Sequence, residues 1–534
     1  MTESEFEELK EVLLEQFELD NVDEVFEDSE KPIRKLSGDE LLALQEYSKK
    51  DDNVALFLLG MEYVSGISVP QDDKIAHRCF MKSAKLGNGM ACCELAWDYQ
   101  EGRGTRKNSR LSIHWNIEGT ERNVPACLIN MGNLADKYGY YAKTVEMYTR
   151  AAELGIVKAE YLLGESYCHG FGPNRNHINF KKAFYWLNRA AEHGHAFSMN
   201  DLAILYEYGK GTDRNIEQAV YWYCKAAESG DREGYYNQAR IYYDGIGTEV
   251  DFSKAFALYK KAAEMGEPES QRKVGFMLLD GEGTNVAEEE GLRWLSAASD
   301  QEDAQAMTFM ALRYQAGNGV EQNDAKAFDL LKRSVEKEFP LAIYNLGCWY
   351  LYGTIVEESE KKGFLLIKQS VEMGCKEAEA ELGWCYECGI GTRKIYRKAF
   401  FWFECSARHE QVRGMFLLGY AYYFGLGVAV DYKKAYRYFK KSADLGYEDA
   451  YFCLGSMYEM GCGVRINFKL ALDYYLKAAE VDNASALFSI GYAYEFGELG
   501  LKADVKQAME YYQRASGLGV EEAQERLDVL SVNC

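Results

Sequence analysis

Cysteine and histidine residues that could hold a metal ion are few in this sequence and lack the spacing of known sites. Cys385 and Cys388 form a C-x-x-C pair, and Cys168 precedes His169. A structural zinc site needs four ligands, which commonly come from two such pairs. The sequence contains 7 His and no second C-x-x-C pair at zinc-ribbon distance. We therefore interpret these cysteines as packed thiols and expect neither a metal nor another cofactor.

Phosphate binding and nucleophilic catalysis are equally poorly supported. The turn Gly209-Lys210-Gly211-Thr212 looks like a phosphate loop, but that loop requires a preceding strand and the spacing G-x-x-x-x-G-K-[ST]. Similar turns recur along the chain, which indicates that they end helices. The sequence also lacks a G-x-S-x-G nucleophile motif. We expect no catalytic residues and no enzyme activity, and keep a hydrolase as the weakest alternative.

The elements that carry these residues form a repeat of about 36 residues. Each repeat predicts two helices, because small and apolar residues recur at spacings of three and four, and glycine ends the first helix. Such a period predicts an all-α solenoid of about thirteen helix hairpins, whose units bury their apolar faces against neighbours. The central small residues are Gly60, Ala96, Gly132, Gly164, Ala203, Ala239, Gly275, Ala311, Gly347, Gly383, Gly419, Gly455 and Gly491.

One repeat shows the pattern most fully. Gly414 to Gly446 reads GMFLLGYAYYFGLGVAVDYKKAYRYFKKSADLG. This stretch resembles the unit A-x-x-x-L-G-x-x-Y-x-x-G-x-G-V-x-x-D-x-x-K-A-x-x-W-Y-x-K-A-A-x-x-G of the Sel-one-like repeat (SLR) family, relatives of the tetratricopeptide repeat. The resemblance covers roughly residues 53–519. It implies a right-handed superhelix with the first helix of each pair on the concave side, and a role in assembling protein complexes.

The chain divides into three predicted segments: residues 1–52, the repeat array 53–519, and a C-terminal capping helix 520–534. The first thirty residues carry thirteen Asp and Glu against one Lys, while Phe6, Leu9 and Phe17 have helical spacing. Residues 1–52 therefore form either an acidic helical cap over the first repeat or an acidic arm that docks onto a partner. The sequence does not decide between these two.

Composition limits the classes of partner. A net charge of −23 argues against nucleic acid and anionic membrane surfaces, because both would repel the chain. No apolar run approaches the roughly 20 residues of a membrane span, and the acidic N-terminus is unlike a secretory signal. The 14 Cys are scattered without a repeating pair, which favours reduced thiols and a cytoplasmic location. The oligomeric state remains open.

The predicted partner-binding surface is the concave side. Residues at positions −3, +1, +4 and +5 from the central small residue should face inward, by analogy with tetratricopeptide arrays. These positions are rich in aromatic residues, which dominate binding hot spots, and in Glu, which favours Lys or Arg on a ligand. The predicted groove residues are Trp97, Tyr161, Glu165, Glu207, Tyr208, Tyr236, Tyr243, Tyr344, Tyr352, Trp384, Glu387, Phe416, Tyr420, Tyr423, Phe424, Glu459, Tyr492 and Glu495.

These observations favour a non-catalytic scaffold or adaptor that binds an extended or helical segment of a partner protein in its concave groove. The partner would be a protein or peptide with basic residues. Two alternatives remain: a regulatory adaptor that acts through its convex face or its acidic N-terminal arm, and the hydrolase.

Overall fold

The computed structural model describes residues 5–11 and 34–533, and these residues form α-helices joined by short turns. An isolated β-bridge pairs Phe171 with Asn176. The prediction of an all-α fold is confirmed. The chain splits into two compact units, Met1–Val286 and Ala287–Cys534. Each unit is an α-solenoid, because its helices pack mainly against the helices next to them in the chain.

The first unit contains six consecutive helix pairs, from α2/α3 to α12/α13, preceded by α1 and followed by α14. Its helices are α1 Gly38–Lys49, α2 Asn53–Ser65, α3 Asp73–Lys85, α4 Gly89–Glu101, α5 Ser109–Glu121, α6 Pro125–Lys137, α7 Tyr141–Glu153, α8 Val157–His169, α9 Phe180–Glu192, α10 Ala196–Tyr208, α11 Ile216–Glu228, α12 Arg232–Asp244, α13 Phe252–Glu264 and α14 Pro268–Asp280.

The second unit begins with α15, continues with six pairs from α16/α17 to α26/α27, and ends with α28. Its helices are α15 Glu288–Asp300, α16 Ala304–Ala316, α17 Asp324–Glu336, α18 Pro340–Tyr352, α19 Glu360–Glu372, α20 Glu379–Cys388, α21 Tyr396–Arg408, α22 Val412–Phe424, α23 Tyr432–Asp444, α24 Glu448–Met460, α25 Phe468–Glu480, α26 Ala484–Phe496, α27 Val505–Gly517 and α28 Glu521–Asn533.

The boundaries of the helices follow from short-range chemistry. The second helix of many pairs begins after an Asn or Asp whose side chain accepts a hydrogen bond from a backbone N–H of the first turn, as Asn467 does from Leu470 at 3.1 Å. Such a cap satisfies a donor that the helix itself cannot. The first helix commonly ends at a glycine in the left-handed conformation, such as Gly425 with φ of 73°.

The central small residue of each repeat allows the two helices of a pair to approach closely. A Cβ atom on Gly419 would stand 2.9 Å from the Phe439 ring, and one on Gly455 would stand 2.6 Å from the Tyr475 ring. Both rings are buried. A larger residue at the centre would collide with a ring that has no space to move into.

The second glycine of the turn links one pair to the previous one. A Cβ atom on Gly427 would lie 2.3 Å from the carbonyl oxygen of Tyr396, at the start of α21. Gly211 stands in the same relation to Phe180, at the start of α9. The Gly-X-Gly spacing therefore serves two purposes: the first glycine ends a helix, and the second allows contact between repeats.

Even-numbered helices also contact one another directly. In the first unit α10 contacts both α8 and α12, and in the second unit α16 contacts α18 and α20 contacts α22. Even-numbered helices that follow one another therefore lie close enough to share a continuous surface within each unit.

The helical segment 5–11 packs on α1. The Phe6 ring is buried and stacks on Tyr47 at 3.8 Å, and Lys10 forms an ion pair with Asp52 at 3.2 Å. Phe17, part of the predicted cap or arm, lies outside the described residues. Within the described ranges, no helix is long and apolar enough to span a bilayer.

Candidate functional site

A cavity of about 550 Å³ lies on the even-numbered helices of the second unit. We call it the ring pocket and define it by Phe416, Tyr420, Phe424, Asp449, Phe452 and Met460. The first three residues belong to α22 and the last three to α24, while Ser485 of α26 also lines the cavity. Three successive first helices therefore build one depression.

The rings of α22 form a continuous row because they are spaced by four residues, which places them on one face of the helix. The Phe416 and Tyr420 centroids are 6.3 Å apart, and the Tyr420 and Phe424 centroids are 4.4 Å apart. Phe416 packs on buried Phe439 at 5.6 Å, which fixes the floor. Phe424 is 53% exposed and Met460 is 55% exposed, so the rim is open to solvent.

A second ring row lies on α26, where Tyr492 stands 4.6 Å from Phe496. Here a side chain of the protein itself contacts both rings, which stay 40% and 49% exposed. The Arg526 guanidinium of α28 lies 5.0 Å from the Phe496 centroid and 5.9 Å from the Tyr492 centroid, and pairs with Glu495 at 3.0 Å. This row therefore shows how rings and a carboxylate on an even-numbered helix hold a cation.

Most predicted glutamates at position +4 have partners inside the protein. Glu459 accepts a hydrogen bond from the Tyr475 hydroxyl at 2.6 Å, and Glu495 accepts one from Tyr512 at 2.9 Å. Glu207 is buried, accepts from Tyr223 at 2.8 Å and pairs with Arg240 at 2.5 Å. These side chains join the two helices of a pair, a role that the sequence analysis did not foresee.

Glu387 differs from the other +4 glutamates. The position sixteen residues later, where Glu459 finds Tyr475, is occupied by Phe403, which has no hydroxyl. One carboxylate oxygen of Glu387, Oε2, is buried and has no hydrogen-bond partner among the described residues. Burial raises the pKa of Glu387 above its usual value, while Lys394 lowers it. This buried oxygen is therefore available to a donor engineered into the neighbouring helix.

The structure distributes the predicted groove residues over both units. Phe416, Tyr420, Tyr423 and Phe424 meet at the ring pocket, and Tyr161 lines a separate cavity in the first unit. The exposed members are Trp97, Tyr208, Tyr352, Phe424 and Tyr492; the half-buried ones are Tyr161, Glu165, Tyr236, Tyr243, Tyr344, Trp384, Glu387, Phe416, Tyr420, Tyr423, Glu459 and Glu495; Glu207 is buried. Their role in binding a partner stays a prediction.

Some exposed or half-buried rings are held by internal hydrogen bonds. The Tyr243 hydroxyl donates to Glu282 at 2.8 Å, and the Tyr352 hydroxyl donates to Glu381, which also pairs with Arg413. Met460 also lies at position +5, but it is neither aromatic nor acidic and was therefore not among the predicted groove residues. The apolar side chain at this position could have indicated that Met460 belongs to the same surface.

The cysteines considered as metal ligands or nucleophiles have environments that disfavour the thiolate. Burial, together with the nearby negative charge of Glu381, raises the pKa of Cys385 to about 12. Burial likewise raises the pKa of Cys168 to about 12. Within residues 5–11 and 34–533, no group of three His, Cys, Asp or Glu is placed to hold a metal ion. Protonated buried thiols pack as small apolar groups.

Comparison with known proteins gives partial sequence matches and structural similarity over most of the chain. The chain is 31% identical over 113 residues to an F-box protein of Arabidopsis thaliana, across 21% of this chain and 31% of that protein. It is 29% identical over 147 residues to a chitin synthase regulator of Saccharomyces cerevisiae, across 27% of this chain and 16% of that protein. The chain thus spans less than a third of the length of these curated relatives.

A crystal structure of a protective antigen of uropathogenic Escherichia coli, which displays an SLR fold, aligns with 92% of this chain and 97% of its own. The TM-score is 0.62 at 24% identity, which shows a shared fold.

The sequence model of the Sel1 repeat matches residues 53–88, 89–115, 157–195, 196–231, 232–267, 268–303, 304–338, 340–375, 376–410, 412–447, 449–483 and 484–520. The unmatched stretch after residue 115 still folds as a helix pair, α6 and α7. The predicted resemblance is confirmed over most of the array. This chain belongs to the Sel1 repeat family.

Proposed function

We propose that this protein is a non-catalytic interaction scaffold that binds an extended or helical segment of a partner protein along its even-numbered helices. Sel1 repeats generally serve as protein-interaction scaffolds. In this chain the ring pocket would hold an apolar side chain of the partner, and the neighbouring first helices would contact the flanking residues. Within each unit, the predicted groove residues that are exposed or half-buried would add to the binding surface of that unit.

The observation that carries the proposal is the row of Phe416, Tyr420 and Phe424 above a fixed floor. The cavity volume of about 550 Å³ lies within the range of protein pockets that bind ligands, roughly 300–1,000 Å³. Rings lose little conformational entropy on binding, and the floor is already ordered by Phe439, so a partner side chain gains contact area at small cost.

Charge supports a partner with basic residues. The chain has a net charge of −23, and Asp449 lies at the ring pocket. A segment with an apolar anchor and nearby Lys or Arg would be attracted to this surface, mainly through faster association. The proposal includes a cytoplasmic location, which the free state of every described cysteine favours.

The test uses the purified full chain to capture partner proteins and compares the proteins that wild type and two variants retain. Tyr420→Ala with Phe424→Ala, the ring-row variant, removes two of the three rings in the row. It leaves Phe416 and Tyr423, which both pack on buried Phe439, in place. Phe401→Ala is the matched control, because it removes a ring that is 50% exposed on an odd-numbered helix of the same unit. We expect the ring-row variant to lose partners that wild type and control both retain, with helicity unchanged in all three. Equal recovery by the three proteins would refute the proposal.

A regulatory adaptor that acts through its convex face or its N-terminal arm is the second candidate. The names of the two curated relatives, an F-box protein and a regulator, favour an adaptor role. Deletion of residues 1–35 separates the candidates: loss of the same partners on deletion, with the ring-row variant unaffected, would assign binding to the arm. A hydrolase remains the weakest alternative, and turnover abolished by a single substitution would support it.

A further inference from the structure

A second cavity, of about 700 Å³, lies in the first unit on α8 and α10 and next to α12. We call it the acidic pocket and define it by Tyr161, His195, Phe197, Asp201 and Glu233. The Tyr161 ring lies 4.6 Å from His195 and 6.3 Å from Phe197, which is 54% exposed. Rings therefore form one wall of the cavity and carboxylates line another part.

The carboxylate of Asp201 is mostly buried, lines the cavity, and has no hydrogen bond or ion pair with another described residue. Glu165 of α8 also has no ion pair in the part of the chain that the structure describes. Burial, the largest cause, acts together with the negative charges of Glu165, Glu233 and Asp231 to raise the pKa of Asp201 to about 7. The pocket thus brings several carboxyl groups close together, and their mutual repulsion opposes ionisation of Asp201.

Two basic groups near the cavity, Lys158 and His193, form no ion pair with the carboxyl groups of the acidic pocket in the described structure. Lys158 lines the cavity but forms no ion pair with Asp201 or Glu233 in the described structure. His193 pairs with Glu160 at 2.8 Å, and His195 contacts Ser198 at 3.0 Å. The charged and titratable groups around Asp201 include Lys158, Tyr161, Glu165 and Cys168 of α8, His193 and His195 before α10, and Asp231 and Glu233 at the start of α12.

The same chain already contains a filled version of this arrangement. In the second unit Arg526 lies over Tyr492 and Phe496 and pairs with Glu495. In the acidic pocket, rings and a carboxylate on even-numbered helices are present without such a cation. A metal ion is disfavoured because no three ligand side chains of the described residues converge on one point. A larger organic cation, which contacts rings and carboxylates together, suits the cavity better.

We propose that the acidic pocket binds the cationic side chain of a lysine or arginine on a partner polypeptide. This inference rests on the proposed function because the cation belongs to a protein partner, but it concerns a different unit from the ring pocket. Rings would contact the side-chain stem or the guanidinium plane, and Asp201 would supply the opposite charge. The pocket would then select partners by charge and leave apolar anchoring to the second unit.

The test measures binding of short acetylated peptides of glycine and serine that carry one arginine, one lysine or one citrulline. Ligand-observed NMR with the full chain gives the dissociation constants. We expect the arginine or the lysine peptide to bind at least about tenfold more tightly than the uncharged citrulline peptide. Whichever of the two binds more tightly identifies the preferred cation. Equal binding of all three peptides, or no binding at millimolar concentration, would overturn the inference.

Variants locate the bound peptide. Asp201→Asn should weaken binding of the cationic peptide about tenfold, whereas Glu217→Gln, an exposed carboxylate of α11, should leave it unchanged. Affinity should rise with pH through about 7 in wild type, since Asp201 then ionises, and this dependence should be lost in Asp201→Asn. Unchanged affinity in Asp201→Asn would refute the assignment. The peptides contain no apolar anchor, so failure here leaves the ring-pocket result independent.

Discussion

The Tyr475 hydroxyl leads to a specific prediction about what holds the two helices of a pair together. Tyr475→Phe removes a hydrogen bond of 2.6 Å to Glu459 from a side chain that is 2% exposed. A hydrogen bond to a charged group contributes about 1.5–3 kcal/mol, and the carboxylate that remains is half-buried. Because Glu459 retains some contact with water, we expect the lower part of this range, about 1.5–2 kcal/mol.

Phe403→Tyr is the reciprocal change. Phe403 packs on Gly383 as Tyr475 packs on Gly455, with closest distances of 2.6 Å from a Cβ placed on either glycine. An added hydroxyl should therefore reach Glu387, whose Oε2 has no donor in the described structure. We expect this variant to stabilise its pair by about 1 kcal/mol, because it satisfies a polar atom that is already buried.

Hydrogen exchange measured by mass spectrometry reports the stability of each helix pair separately. A local measurement of this kind is needed because the repeats of a solenoid can open one at a time. Peptides from α24 and α25 should exchange at least about tenfold faster in Tyr475→Phe, and peptides from α20 and α21 should exchange more slowly in Phe403→Tyr. The control compares the double variant Tyr475→Phe with Glu459→Gln against the two single variants. Its loss of stability should be smaller than the sum of their losses, because both changes remove the same hydrogen bond. Slower exchange in Phe403→Tyr is essential: if that variant destabilises its pair, the hydroxyl does not reach Glu387 and the reasoning fails.

Two further predictions concern charge and backbone. The pKa of Asp201 is raised in the folded state, so the folded protein binds this proton more tightly than the unfolded chain does, and stability should fall as pH rises from about 4 to about 7. Asp201→Asn should remove this contribution and raise the free energy of unfolding by up to about 4 kcal/mol at pH 8, as measured by urea unfolding. Gly427→Ala places a Cβ atom 2.3 Å from the Tyr396 carbonyl oxygen and should lower the free energy of unfolding by more than about 2 kcal/mol. Gly446→Ala is the control: its Cβ atom has nothing within 4 Å, so it should lose only about 1 kcal/mol for the left-handed backbone conformation. Equal melting temperatures of the two variants would contradict the contact between repeats.

The fold could be predicted from the sequence because its determinants are local and repeated. The spacing of Gly383, Gly419, Gly455 and Gly491 is 36 residues each time, and each of these four glycines lies beneath a ring of the second helix. The position of the ring row on α22 also follows from helical spacing. What periodicity cannot show is which of these side chains the protein uses for its own packing.

The glutamates illustrate this limit. Glu207 and Glu459 occupy the predicted position, yet each is held by a tyrosine sixteen residues later, and only the packed structure reveals the bond. The co-occurrence of Glu and Tyr at that spacing was a usable signal. His195 and Phe197 were missed for a different reason: they lie at the start of α10, outside the register that was applied to the middle of each helix.

The contact of Gly427 with the start of α21 bears on how such a chain can change in length. The same contact recurs between Gly463 and Tyr432, one period further on, so the surfaces on either side of a repeat are interchangeable. Duplication or loss of a whole period would restore matching surfaces at the new junction, whereas insertion of a few residues would place a side chain against a carbonyl oxygen. Evolution of this protein by recombination should therefore proceed in steps of one complete hairpin, with binding surfaces gained or lost as intact blocks.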